Sequence, residues 1–192
     1  VTHPCIASTA ATISALRTAN ISGRLDADTR LSPSVYFSSD DKGGTADVTL
    51  YPHEGGLINA EIKVTGHPGW LSLNIGLGTG AFNEGDTLGI ITDIRGTDTF
   101  NIRPYIRSSR NSDEQDTILS KDITFGGTPT ISTLLHTVSP ADALPHDEAY
   151  HTLILPLPIR DLSLVLNDLC LFHLGAESGL SEYSMTLGRL AG

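Results

Sequence analysis

The chain has 192 residues, enough for one domain with a sizeable core, and only 18% of them are charged. Its net charge of −10 repels phosphate, which argues against direct binding to nucleic acid or to an anionic membrane. No apolar run is long enough to cross a bilayer, and 19 Gly with 10 Pro shift the composition toward turns rather than a helical bundle.

In chain order, the segment "STAATISALRTA" (8–19) is the best helix candidate. Ser8 or Thr9 can cap its start, and Ile13, Leu16 and Ala19 fall at helical spacing. "NISGRLDADTRLSPS" reads as a polar connection, so residues 1–30 form an N-terminal arm with a short helix. From Val35 the hydrophobic period changes to two. "ADVTLY" (46–51), "LINAEIKV" (57–64), "WLSLNIGL" (70–77) and "DTLGIITDI" (86–94) all alternate as half-buried strands. "DTFNIRPYIRS" (98–108) follows, joined to the preceding strand by "RGT" as a short hairpin loop.

Further strands are expected at 130–138, 151–159, 162–174 and 183–187. Pro156 and Pro158 place the second of these at an edge or in a bulge. The third, "LSLVLNDLCLFHL", has the length of a helix, but its Leu162, Leu164, Leu166 alternation favours strand. Nine or ten short strands without helices between them predict an all-β fold: an antiparallel β-sandwich or jelly roll over residues 31–192, behind the helical arm. The expected core includes Ile58, Ile62, Leu71, Leu73, Ile75, Ile90, Ile102, Ile106, Leu155, Leu164 and Phe172. Cys5 and Cys170 are too few for a disulfide scaffold; one long bridge or two separate thiols both fit, the latter slightly better. A start at Val1 fits either removal of a leader or trimming of an initiator Met, and we expect an exported or assembled protein.

Chemistry is sparse. "PHDEAYH" (145–151) holds two His and two carboxylates, but its His residues are five apart and the continuation is strand-like. Alternation then sends His146, Glu148 and Tyr150 to one face and Asp147 and His151 to the other, so the segment reads as a solvated loop entering a strand. "SSDDKGGTAD" (38–47) offers Asp40, Asp41 and Asp47 in a Gly-containing loop, the hard oxygen ligands that a structural calcium would use; "NEGD" (83–86) and "NSDEQD" (111–116) are weaker versions. No other cofactor is implied. "GLGTGAFNEG" (76–85) lacks the spacing of a dinucleotide loop and reads as a turn. No nucleophile motif is present; carboxylates such as Glu61, Asp93 and Glu148 are what a glycoside hydrolase would need, yet no spacing singles out a pair, and the expectation is a non-enzyme.

The most informative polar feature is "FNIRPYIRSSR". Phe100, Ile102, Pro104 and Ile106 alternate with Asn101, Arg103, Tyr105 and Arg107, and five of the 12 basic residues fall between Arg95 and Lys121. Tyr rings stack on sugar faces, and Arg and Asn donate in-plane hydrogen bonds, so this row is the candidate ligand-binding surface. A row neutralised by Asp or Glu on neighbouring strands is the structural alternative. Many short strands with one Trp and an Arg/Tyr face resemble, in architecture, the β-sandwich carbohydrate-binding modules and the virion jelly rolls. Two readings follow. The first is non-catalytic recognition of polysaccharide by one sheet face. The second is a structural subunit, such as a capsid, decoration or filament protein, whose faces are buried by neighbouring subunits. Both place the protein outside the cell or in an assembled particle, with homo-oligomerisation open.

Overall fold

A computed structural model describes residues 2–25, 30–128, 130–145 and 147–180. Helix α1 (Pro4–Ala19) comes first. The strands follow: β1 (Gly23–Leu25), β2 (Val35–Ser39), β3 (Gly44–Leu50), β4 (Ile58–Gly66), β5 (Leu71–Gly80), β6 (Thr87–Gly96) and β7 (Phe100–Ile102). Then come β8 (Tyr105–Arg110), β9 (Asp113–Ile118), β10 (Ile123–Phe125), β11 (Thr130–Thr137), β12 (Ala149–Pro156) and β13 (Leu162–Leu174). The expected strand at 183–187 lies outside the described residues.

Every pairing is antiparallel. One sheet has six strands in the order β1-β3-β4-β13-β6-β11, the other has five in the order β2-β5-β12-β8-β9, and β7 and β10 form a small ribbon. The chain crosses repeatedly between the two large sheets, and their inner faces enclose one core. This is the antiparallel β-sandwich expected from the alternating pattern. Ten of the eleven predicted core residues are buried; Phe172 is half-buried.

The exception has a local cause. β13 carries a bulge at Asn167, between Leu166 and Asp168, in its pairing with β6. One extra residue reverses which side chains face inward. Leu162, Leu164 and Leu166 are therefore buried before the bulge, Leu169 and Leu171 after it, and Phe172 turns to the outer face above Gly89.

Helix α1 starts four residues earlier than its sequence signals placed it. Pro4 occupies the first turn, where its missing N–H costs nothing, and the His3 ring accepts a hydrogen bond from the Cys5 N–H at 3.2 Å. Asn20, in the left-handed conformation (φ 43°), ends it. Ser8 and Thr9 are thus interior, and the Thr9 hydroxyl donates to the Cys5 carbonyl at 2.7 Å. Cys5, Thr9, Ile13 and Leu16 line one buried face that packs on β5 and β13. The helix belongs to the core and is not a free arm. Cys5 and Cys170 are free thiols, the first buried and the second exposed.

Two other local expectations change. The glycines of "GLGTG" form no turn; they continue β5 to Gly80. A side chain at Gly78 or Gly80 would collide with Ser8 or Cys5 of α1, and one at Gly76 with the Tyr150 hydroxyl, so these positions admit neighbours on both faces. β12 is not an edge strand but lies between β5 and β8. Pro156 is tolerated because it is the last residue of β12 and pairs on one side only, with Ser72, and Pro158 lies beyond the strand. No helix among the described residues is long and apolar enough to cross a membrane.

Candidate functional site in a groove on the five-stranded sheet

Direct cross-strand partners share a face of a sheet. Across the five-stranded sheet, Tyr36 of β2 faces Asn74 of β5, Asn74 faces Ile154 of β12, Ile154 faces Tyr105 of β8, and Tyr105 faces Ile118 of β9. The adjacent row runs Gly76, Thr152, Arg107, Asp116. The members of these rows on β2, β5, β12 and β8, with Trp70 and Tyr150, line a groove of about 590 Å³.

Aromatic side chains form its walls. Trp70 is 49% exposed and Tyr150 42%. The absence of a side chain at Gly76 lets the Tyr150 hydroxyl reach over β5. Arg30 lies over the Tyr36 ring, its Cζ 4.4 Å from the centroid, a cation–π contact. The floor is polar and covered: Ser72 and Asn74 are both buried, and the Ser72 hydroxyl donates to Asn74 Oδ1 at 3.2 Å. Burial raises the phenol pKa of Tyr105, against the opposing pull of Arg107. Tyr150 is raised chiefly by burial too, with Tyr36 adding and Arg30 opposing. Both phenols therefore stay neutral at physiological pH, able to donate and accept.

The predicted basic row is only partly assembled here. Pro104 ends the continuity of "FNIRPYIRS", and the two halves enter different sheets: β7 pairs with β10, β8 with β12 and β9. The expected hairpin of β6 with this segment does not form, because β6 lies between β13 and β11. Asn101 leaves the groove and accepts a hydrogen bond from Thr124 at 2.8 Å. Arg103 leaves it too, held by Asp122 and the Leu119 and Ser120 carbonyls. Tyr105 and Arg107 remain. Arg107 forms a fork to Asp116, Nε–Oδ1 2.8 Å and Nη2–Oδ2 2.9 Å, with Glu114 at 3.4 Å. Its hydrogen bond to Asp116 raises its pKa further. The carboxylate-neutralised alternative thus describes both arginines, and Arg107 presents a fixed, charge-balanced group rather than a free cation.

The carboxylates weighed as ligands or catalysts have other duties. Asp40 accepts from the Lys42 N–H at 3.1 Å, Asp47 pairs with Arg24 at 2.6 Å, and Asp41 is exposed. Among the described residues no three His, Cys, Asp or Glu side chains gather as a cation site. In "NEGD", Asp86 is buried and accepts from Asn83 and from the Ala176 N–H, with His173 at 2.8 Å. Burial alone would push Asp86 up, but the hydrogen bonds from His173, Asn83 and Ala176 outweigh it and hold the carboxyl low. "NSDEQD" is a tight turn at Asn111 and Ser112, both at positive φ, leading into β9, which delivers Glu114 and Asp116 to Arg107.

Glu61 accepts from the Tyr51 hydroxyl and pairs with Lys63, while Asp93 accepts from Asn167, both on the six-stranded sheet. Glu148 precedes β12. In "PHDEAYH", His146 lies outside the described residues. His151 is fully buried between the Ser108 hydroxyl and the Gly80 carbonyl, each 2.9 Å from a ring nitrogen, while Tyr150 faces the groove. The parity assigned to these two residues from sequence is observed.

Sequence reasoning missed Tyr36, Ser72, Asn74 and Thr152, and gave Trp70 and Tyr150 no role. Each sits at an outward parity position of its strand, Trp70 one residue ahead of β5, but only the strand order β2-β5-β12-β8 makes them neighbours.

No family model and no curated protein matches the sequence. Solved structures match the fold. The chain superposes with a TM-score of 0.53 on a CBM4 module, at 12% identity over 81% of this chain and 97% of that one. The family 11 carbohydrate-binding module from Clostridium thermocellum, in complex with a β-1,3-1,4-mixed-linked tetrasaccharide, gives 0.49 at 12% identity, covering 79% and 96%. The N-terminal cellulose-binding domain of Cellulomonas fimi β-1,4-glucanase C gives 0.47 at 12% identity, covering 73% and 89%. The CBM4 superposition shows that the fold is the β-sandwich of such modules, and at this identity the likeness is one of fold alone.

Proposed function

We propose that the protein is a non-catalytic carbohydrate-binding domain that holds a polysaccharide chain in the groove of its five-stranded sheet. One observation carries the reading: Tyr36, Tyr105, Tyr150 and Trp70 surround a polar floor of Ser72, Asn74 and Thr152 on a single face. A pyranose ring has apolar C–H faces and an equator of hydroxyls. Aromatic walls cover the former, and groups that both donate and accept serve the latter. The groove crosses strands about 4.8 Å apart, so its length suits a run of several sugars rather than one. The fold shared with the CBM4 module is consistent with this use. Polysaccharide binding also fits a setting outside the cell.

The test is a panel of soluble β-glucans, xylan, mannan and galactan in affinity electrophoresis, followed by calorimetry on any that retards the protein. Retardation lost in Tyr105→Ala and Tyr150→Ala, with melting unchanged, supports the groove. The assembly reading has its own support in Ile118 (57% exposed) and Ile131 (72%) on β9 and β11, each the last strand of its sheet. A defined oligomer in sedimentation, with no glycan bound, would favour it.

A further inference from the structure

The groove does not stop at β2. A second cleft of about 520 Å³ adjoins it, and Arg30, Tyr36, Ser38 and Leu71 line both. This cleft opens where the β2 edge of one sheet faces β1 and β3 of the other. Its apolar part is made by Leu25, Phe37, Ala46 and Val48. Its polar part includes the Arg24–Asp47 couple at 2.6 Å, whose side chains are 68% and 46% exposed. The volume lies within the ~300–1,000 Å³ of small-molecule sites.

We propose that this cleft is a branch subsite: it takes an uncharged sugar side branch of the backbone lying in the groove. The proposal rests on the groove reading above and adds the ligand class, a neutral polysaccharide carrying neutral side sugars. Three features lead to it. The two spaces meet around the free edge of β2: Tyr36 and Ser38 line both, and Arg30, which also lines both, lies over the Tyr36 ring and donates to the Pro33 carbonyl at 3.2 Å. β2 is the last strand on that side of the sheet, so a backbone crossing the strands reaches the second cleft at its Tyr36 end.

The third feature is chemical. Vicinal hydroxyls each donate and accept, and a guanidinium beside a carboxylate offers both roles at one place. Charge then selects among side sugars. Arg24 is answered by Asp47, Arg30 and Asp41 add one charge of each sign, and Arg107 in the groove is answered by Asp116 and Glu114. The cleft lining is therefore balanced and offers no net positive charge to offset the desolvation of a uronic acid or sulfated branch, a cost that a neutral hexose or pentose does not carry.

The experiment uses three pairs of probes with matched backbones: cellotetraose with the xyloglucan heptasaccharide built on it, mannopentaose with galactosyl-mannopentaose, and laminarihexaose with a β-1,6-glucosylated laminarihexaose. For the backbone that the wild type binds, the branched member is expected to bind about tenfold tighter, a gain of ~1.4 kcal/mol. Ala46→Phe, which fills the apolar part, and Arg24→Ala, which strips the polar part, should bring that ratio to about one. Neither residue lines the groove, so both variants should bind the linear member as the wild type does. If Ala46→Phe loses its native circular dichroism, Arg24→Ala decides. Equal or weaker binding of the branched member by the wild type, with Tyr150→Ala still weakening linear binding, overturns the branch subsite and leaves the groove standing. Linear binding that Tyr150→Ala does not alter overturns both.

Discussion

Tyr150→Ala probes the groove at one of its two exposed aromatic walls. The side chain of this residue is aimed outward by the alternation of β12, and the residue is 42% exposed. An aromatic residue of this kind buries about 200 Å² when fully covered, so a ligand ring stacked on Tyr150 can still cover roughly 80 Å². At ~25 cal/mol per Å², that area is worth about 2 kcal/mol. Its loss should weaken binding roughly 30-fold. Tyr150→Phe should lose much less, because the ring is kept and only the hydroxyl is removed. Calorimetry with the tightest oligosaccharide measures the affinities, and thermal melting checks that β12 still pairs with β5 and β8. Binding by Tyr150→Ala within twofold of wild type would show that sugars do not stack on this wall and would refute the reasoning behind the groove.

Three further outcomes follow from particular residues. Leu73 of β5 is fully buried, so Leu73→Ala should lose about 2–5 kcal/mol in urea unfolding, and an unchanged midpoint would contradict the register. His151 is buried, and desolvation lowers its pKa below the ordinary value, so the unfolded chain takes up this proton more readily than the folded one. The resulting stability is intact above the ordinary His pKa of about 6.5 and is lost as pH falls from there toward the lowered folded value; a His151→Gln variant with the same melting-versus-pH curve would refute it. Because Arg24 neutralises Asp47 and Asp40 is turned onto the Lys42 N–H, melting curves in EDTA and in excess calcium should coincide, and a calcium-dependent rise would show Asp40, Asp41 and Asp47 converging on an ion.

What the sequence revealed, and what it hid, divides along one physical line. Period-two alternation is a property of a single strand, so most of the strands, the buried set and the opposite facing of Tyr150 and His151 could be read directly. The three-residue β1 and β10 and the polar β9 alternate too little to stand out. Strand order is not local. Nothing near Asn101 and Arg103 says that Pro104 hands the next residues to another sheet, and so the Arg-Tyr-Arg row looked continuous. The bulge at Asn167 was hidden for a related reason: a one-residue slip leaves the alternation intact on either side and reverses only its sense, which misplaced Phe172. Glycines misled in a third way. Gly76, Gly78 and Gly80 resemble a turn in isolation, yet each is small because a partner distant in sequence occupies the space of its side chain.

The same non-local logic separates the two outer faces of the sandwich. On the six-stranded sheet, Lys63 ties Glu61 to Asp161, Tyr51 donates to Glu61, and Arg17 of α1 reaches Asp168, so charged side chains there answer one another in a structural ladder. On the five-stranded sheet the arginine is likewise answered, but the aromatic rings are not: Trp70 and Tyr150 keep nearly half of their surfaces in water. Leaving large apolar area exposed costs a folded chain about 25 cal/mol for each Å² that a partner could cover. The exposed rings stand together around one groove and above hydroxyl and amide groups that are themselves buried. An aggregation-prone surface would present apolar area without that polar floor, and a salt-bridged face would present the floor without the rings. A surface that combines the two matches the mixed chemistry of a sugar chain better than that of either water or another apolar face. On that ground the groove, rather than the arginine row first read from the sequence, is where binding energy is expected to concentrate.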